Sequence, residues 1–214
     1  MSERGIFITF EGSEGCGKST QIARLEDRLR DRGIEILRTR EPGGTTVGEH
    51  VRRLLQHTPE VENMTPVAEL FLFAASRAQL VREKIEPALE SGKWVIADRF
   101  FDSTTVYQGI GRGLGVKEVT AINSFAVGEI VPEVTFLLDM DAAEGHRRAV
   151  ENAGGGPDRM EDQPMEFFES VRNGYLELAE REPERIAVID ASRSIDEVAE
   201  AIWSECEARL DLDS

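Results

Sequence analysis

Gly12-Ser13-Glu14-Gly15-Cys16-Gly17-Lys18-Ser19-Thr20 fits the spacing G-x-x-x-x-G-K-[ST] without a gap. An apolar run, residues 6–10, precedes it, and a helical stripe marked by Ile22, Leu25 and Leu29 follows directly. Strand, glycine-rich loop and helix in that order form a phosphate cradle. Its glycines let the backbone curl so that successive N–H groups face phosphate oxygens, and the helix N-terminus adds a favourable dipole. Lys18 is placed to reach the β- and γ-phosphates of a nucleoside triphosphate, and the Ser19 hydroxyl to ligate Mg²⁺. Cys16, between the loop glycines, reads as a small packing residue, since phosphoryl transfer needs no thiol nucleophile.

Outward from the cradle, short apolar runs alternate with longer helical patterns. Strands are predicted at residues 6–11, 35–39, 94–97, 134–139 and 185–190, each apolar in its middle, as in strands buried on both faces. Helices are predicted from Pro66 to Val81, with Thr65 as cap, and over residues 116–127, 142–150, 164–180 and 194–210. This alternation predicts an α/β chain with the three-layer P-loop NTPase fold, a five-stranded parallel sheet with helices on both faces. The 214 residues read as one P-loop domain without a linker. The glycine-rich stretch around Gly154-Gly155-Gly156-Pro157 suggests a lid segment over about residues 148–163, or a plain surface loop.

The run Trp94-Val95-Ile96-Ala97 passes straight into Asp98-Arg99. An aspartate closing an apolar strand is the second metal-orienting element of such folds, and Arg99 then falls at the carboxyl edge of the sheet, where ligands bind. Arg40 and Arg99 offer guanidinium groups to an acceptor phosphate. Glu41, as a base, leaves a hydroxyl acceptor open. Phe73 and Arg77, four residues apart, share a helix face and suit either a stacked base with a hydrogen-bonded edge, or a core phenylalanine beside an arginine paired with a carboxylate.

Forty-one acidic against 25 basic residues give a net charge of −16, which repels nucleic acid and anionic lipid. Only Lys18, Lys84, Lys93 and Lys117 are lysines, leaving 21 arginines among the 25 basic residues. That imbalance fits either adaptation to a saline cytoplasm or compositional drift. Two cysteines, Cys16 and Cys206, suit a reducing compartment. No stretch approaches the ~20 apolar residues of a membrane span, so a cytoplasmic, membrane-free protein is expected.

The chain resembles the thymidylate kinases from residue 6 to about residue 200. The resemblance rests on Glu11 to Thr20, Arg40-Glu41-Pro42-Gly43-Gly44-Thr45, Phe73-Ala74-Ala75-Ser76-Arg77, and Asp98-Arg99 followed by Ser103-Thr104-Thr105-Val106-Tyr107-Gln108-Gly109 with Gly111-Arg112-Gly113. Tyr175-Leu176-Glu177-Leu178-Ala179 and Asp190-Ala191-Ser192 extend it. It implies transfer of the ATP γ-phosphoryl group to dTMP, giving dTDP and ADP for dTTP synthesis, with Mg²⁺ held at Ser19 and Asp98. It further implies that Phe73 stacks on thymine, Arg77 bonds its O4 edge, and Thr104 or Gln108 contacts base or sugar. Tyr107 would crowd a 2′-hydroxyl, Glu14 would face the 3′-hydroxyl, and Arg40 and Arg99 would lie near the acceptor phosphate. Arg148 would stack on adenine beside Ser192 and Arg193, and a homodimer is expected. The catalytic set is then Lys18, Asp98, Arg99 and a transition-state arginine.

That last residue departs from the pattern. Relatives carry the arginine in the cradle loop, where this chain has Gly15, or in a basic lid, where it has Val150, Glu151 and Asn152. Arg159 is the expected substitute. A deoxynucleoside kinase, another nucleoside-monophosphate kinase and a nucleotide-binding switch are the competing readings.

Overall fold

The computed structural model describes residues 4–57, 63–152, 163–210 and 212. Strands β1 (Phe7–Glu11), β2 (Ile36–Arg40), β3 (Trp94–Asp98), β4 (Val134–Asp139) and β5 (Ile186–Asp190) form a parallel sheet in the order β2-β3-β1-β4-β5. The register places Phe10 beside Asp98 on one side of β1 and beside Phe136 on the other. Parallel neighbours require crossovers, and helices supply them.

The helices are α1 (Lys18–Arg30), α2 (Thr46–His57), α3 (Pro66–Leu80), α4 (Glu86–Glu90), α5 (Phe101–Thr104), α6 (Val116–Val127), α7 (Ala142–Asn152), α8 (Met165–Arg181) and α9 (Ile195–Arg209). α3 runs into α4 through a π-helical turn at Val81–Ile85, and α5 continues as a second π-helical stretch, Thr105–Gly111. The Thr65 side chain accepts from the Ala68 N–H and so caps α3, as its sequence signature predicts.

Successive side chains of the central strands feed opposite layers. Ile8, Phe10, Ile96, Phe136 and Leu138 pack with Ile22, Leu25 and Leu29 of α1 and Val198 and Ile202 of α9. On the other face, Phe7, Val95 and Ala97 pack with Leu80, Val81, Ile85 and Phe100, while Leu137 joins Phe168, Val171 and Tyr175 of α8. The expectation of strands buried on both faces therefore holds for β1, β3 and β4. It fails for β2 and β5, where Arg38, Arg40, Val188 and Asp190 are exposed, because these are the edges of the sheet.

Three helices escape the periodicity reading: α4, too short at five residues to carry a stripe, α2 and α5. α2 is mostly polar, and its signals are the Thr45 hydroxyl accepting from the Gly48 N–H and the pair Val51 and Leu55 one turn apart. α5 is only four residues long and leads into the β-branched run Thr104-Thr105-Val106, yet the Phe100 and Ser103 N–H groups both bond to the Glu11 carboxylate. Its cap thus comes from a residue 89 positions earlier in the chain.

Candidate active site

β1 ends at Glu11, and the chain then turns through Gly12, Gly15 and Gly17, with φ of 131°, 72° and 91°. A Cβ on Gly15 would stand 2.1 Å from the Gly145 carbonyl oxygen of α7, so the loop lies against α7 where no side chain fits. Lys18 Nζ donates to the Gly12 and Ser13 carbonyls at 3.0 and 2.7 Å. No side chain caps α1, whose N-cap position is Gly17, so its positive dipole end opens onto the loop. Cys16 is buried and its thiol donates to the Ser13 carbonyl, consistent with a packing residue.

Parallel pairing of β1 with β3 brings Asp98 level with the cradle, and the Ser19 hydroxyl donates to Asp98 Oδ2 at 3.5 Å. Two hard oxygen donors at this separation suit Mg²⁺, which keeps waters and takes further ligands from substrate phosphates. Among the described residues no cluster of three or more His, Cys, Asp or Glu side chains could hold a metal by itself.

Arg99 adopts φ 70°, a left-handed conformation that costs a non-glycine residue about 1–2 kcal/mol. Its guanidinium donates to Glu14 at 2.8 Å, Ser103 at 3.0 Å, Tyr175 at 3.2 Å and Tyr107 at 3.4 Å. Tyr107 also donates to Glu14 Oε2 at 2.8 Å. Burial pushes the Glu14 carboxyl up, but the charges of Arg99 and Lys18 and the Tyr107 hydroxyl outweigh it, so Glu14 titrates below the ordinary range. Glu11, fully buried, titrates above it because of desolvation and the neighbouring Asp102.

Arg77 is 1% exposed. Its Nε bonds Glu41 at 2.8 Å, Nη1 bonds Asn123 at 2.8 Å, and Nη2 bonds Thr104 at 2.8 Å and the Phe100 carbonyl at 3.3 Å. Nη2 also lies 2.6 Å from Glu41, so among the described residues these partners engage all of the five guanidinium N–H groups but one on Nη1. Burial pushes the Glu41 carboxyl up to about 7 against the pull of Arg77, with Glu11 adding to the rise, and Glu41 Oε1 has no hydrogen-bond partner among the described residues.

These groups line a cleft of about 430 Å³. It brings together Glu14, Gly15, Lys18, Arg40, Phe73, Arg77, Asp98, Arg99, Thr104, Tyr107 and Gln108. Phe73 is half-buried on its wall, and Arg77, which also lines it, is paired with the Glu41 carboxylate.

The family model described as thymidylate kinase matches residues 10–202. The chain belongs to the thymidylate kinase family. It is 48% identical over 206 residues to the thymidylate kinase of Deinococcus radiodurans, covering 96% of this chain and 98% of that one. To the thymidylate kinase of Chlorobium chlorochromatii it is 44% identical over 216 residues, covering 97% and 96%. A crystal structure of thymidylate kinase from Ehrlichia chaffeensis superposes with a TM-score of 0.75 at 33% identity, covering 94% of this chain and 98% of that one. As a member of the thymidylate kinases the chain is an ATP-dependent kinase that phosphorylates dTMP.

Residues expected at the adenine end are not part of the cleft lining, although Ala149, next to Arg148, is. Arg148 on α7 donates to Glu144 at 2.7 Å. Ser192 and Arg193 follow β5, two strands from the cradle strand, and both bond to Asp190. Arg40 reaches the cleft, but both oxygens of Glu49 bind its Nη2 at 3.0 Å. Arg159 and residues 153–162 of the expected lid lie outside the described residues. Sequence reasoning missed Arg52 and Gln56, which line the cleft from α2, and Ser103. The Thr45 cap and the Val51–Leu55 spacing were the signals for the first two.

Proposed function

We propose that ATP lies in the Gly12–Thr20 loop and dTMP in the adjoining cleft, with transfer in line between them above Lys18. The observation that carries this is the continuity of the cleft, whose lining runs from Lys18 and Asp98 to Phe73, Arg77 and Arg99. Phosphoryl transfer calls for alignment and neutralisation of charge, which one continuous cleft would supply for both substrates.

In this reading Lys18 holds the β- and γ-phosphates, and Arg99 with Arg40 holds the acceptor phosphate. Phe73 stacks on the base, the remaining Arg77 N–H meets a carbonyl on its edge, and Thr104 and Gln108 flank base or sugar. Glu14 and Tyr107 close the wall around the sugar, leaving little room for a 2′-hydroxyl. Arg148, Ser192 and Arg193 take the adenine side. Ser19 and Asp98 would hold Mg²⁺, whose charge would offset that of the phosphates. Arg159 is the proposed transition-state cation, because Arg77 and Arg99 are already engaged by Glu41 and Glu14 and Gly15 has no side chain. Arg159→Ala should then lower turnover strongly with little change in dTMP affinity.

A homodimer is supported by exposed apolar side chains on α3 and α6, which pack side by side: Phe125 is 89% and Phe71 57% exposed. No helix among the described residues is long and apolar enough to cross a membrane, and the net charge of −16 disfavours nucleic acid. A cytoplasmic enzyme of one domain fits both facts. The test is ADP production with each deoxy- and ribonucleoside monophosphate in turn. Fastest turnover with dTMP, dependent on Mg²⁺, is expected, and ADP release at equal rates without any acceptor would refute the reading.

A further inference from the structure

Tyr175 stands behind the cleft and is not part of its lining. It is buried on α8, and its hydroxyl lies 2.8 Å from Glu11 Oε2, 2.8 Å from Ser103 Oγ and 3.2 Å from Arg99 Nη1. Ser103 Oγ also donates to Glu11 Oε2 and accepts from Arg99 Nη1 at 3.0 Å. A hydroxyl has one hydrogen and two lone pairs. With the hydrogens of Tyr175 and Ser103 both drawn to Glu11, each oxygen turns a lone pair toward Arg99. Burial and the Glu11 charge keep the phenol well above its ordinary titration range, so it stays protonated as that donor.

The rest of the surroundings holds this arrangement. Arg99 sits in a left-handed conformation that persists only where neighbours over-determine it, and the Glu11 bonds to the Phe100 and Ser103 N–H groups fix the following turn. The Tyr175 ring meets Tyr107 edge-on, with centroids 6.3 Å apart at 74°. Gly174 lets α8 approach closely, since a Cβ there would stand 2.6 Å from Ile110 Cδ1. One side chain thus touches both Arg99 and Tyr107 from outside the cleft.

We propose that Tyr175 is a positioning residue for thymidylate binding, its hydroxyl holding the Arg99 guanidinium in the orientation that receives the acceptor phosphate. This rests on the reading of Arg99 as the acceptor clamp.

Tyr175→Phe removes the hydroxyl and keeps the ring and its packing. The expected result is a rise of about tenfold in KM for dTMP, the scale of one hydrogen bond to a charged group, with KM for ATP within about twofold and kcat within about threefold. A purely structural role would move both KM values together, or neither. Arg99→Lys provides the cycle: it should raise KM for dTMP by itself, and adding Tyr175→Phe to it should produce no further rise. An unchanged KM for dTMP in Tyr175→Phe, or effects that multiply in the double variant, would overturn the inference while leaving Arg99 as the clamp. If Arg99→Lys leaves KM for dTMP unchanged, the Arg99 reading itself fails, and the inference with it.

Discussion

Replacing Gly15 by alanine adds one methyl group to the cradle, and the structure gives its consequence in two parts. At φ 72° a Cβ is sterically opposed by its own backbone, costing about 1–2 kcal/mol. It would also stand 2.1 Å from the Gly145 carbonyl oxygen and 3.0 Å from the Ala149 nitrogen, so the backbone of loop or α7 must move. Overpacking of this kind costs about 1–3 kcal/mol. The sum, about 2–5 kcal/mol, corresponds in a chain of this length to a fall in Tm of about 4–20 °C. Because the displaced atoms form the phosphate cradle, at least 1.4 kcal/mol or so of this should appear in ATP binding, about a tenfold rise in KM for ATP at saturating dTMP. The assay pairs thermal unfolding with steady-state ADP production over a range of ATP. Gly15→Arg should likewise lower turnover and fail to supply the transition-state cation, because its Cβ meets the same obstacle. A Gly15→Ala protein with wild-type KM for ATP and Tm within a degree would refute the packing argument.

Other outcomes follow from particular groups. Glu41 titrates near 7 in the folded protein against 4.5 unperturbed, so its contribution to stability is fully present below about 4.5 and is lost as pH rises through 7. Urea unfolding from pH 5 to 8 should therefore show a shallower decline in Glu41→Gln than in wild type, and parallel profiles would count against the raised value. Phe125→Asp should convert a dimer to monomer in sedimentation, and an unaltered sedimentation coefficient would place the interface elsewhere. If the carboxylate excess is a saline adaptation, Tm should climb with molar KCl as self-repulsion is screened, and indifference to KCl would assign the composition to drift.

What the sequence reveals divides along local and non-local causes. The cradle, Asp98 and Arg99 are legible because strand, glycine turn and helix start are encoded in consecutive residues. The helix at residues 116–127 and the strand at residues 134–139 are found at the expected positions because apolar residues dominate the buried face of the one and the middle of the other. α5 is not legible, since Glu11 caps it from across the sheet. Arg77 could not be assigned from the Phe73–Arg77 spacing alone. Its partners Glu41, Asn123 and Thr104 come from three other parts of the chain, and the same guanidinium serves both a buried network and the cleft wall. Tyr175 shows the converse: its motif is visible in sequence, but its partners Glu11, Ser103 and Arg99 meet only in the fold.

The central claim is that one cleft brings a triphosphate, gripped by Lys18, against thymidine monophosphate. Chromatographic quantification of dTDP and ADP from the same reaction, for wild type and Lys18→Ala, tests it most directly. The account predicts one dTDP per ADP with Mg²⁺ present and loss of both products in Lys18→Ala. ADP accumulating without dTDP, or a Lys18→Ala protein that turns over at the wild-type rate, would contradict it.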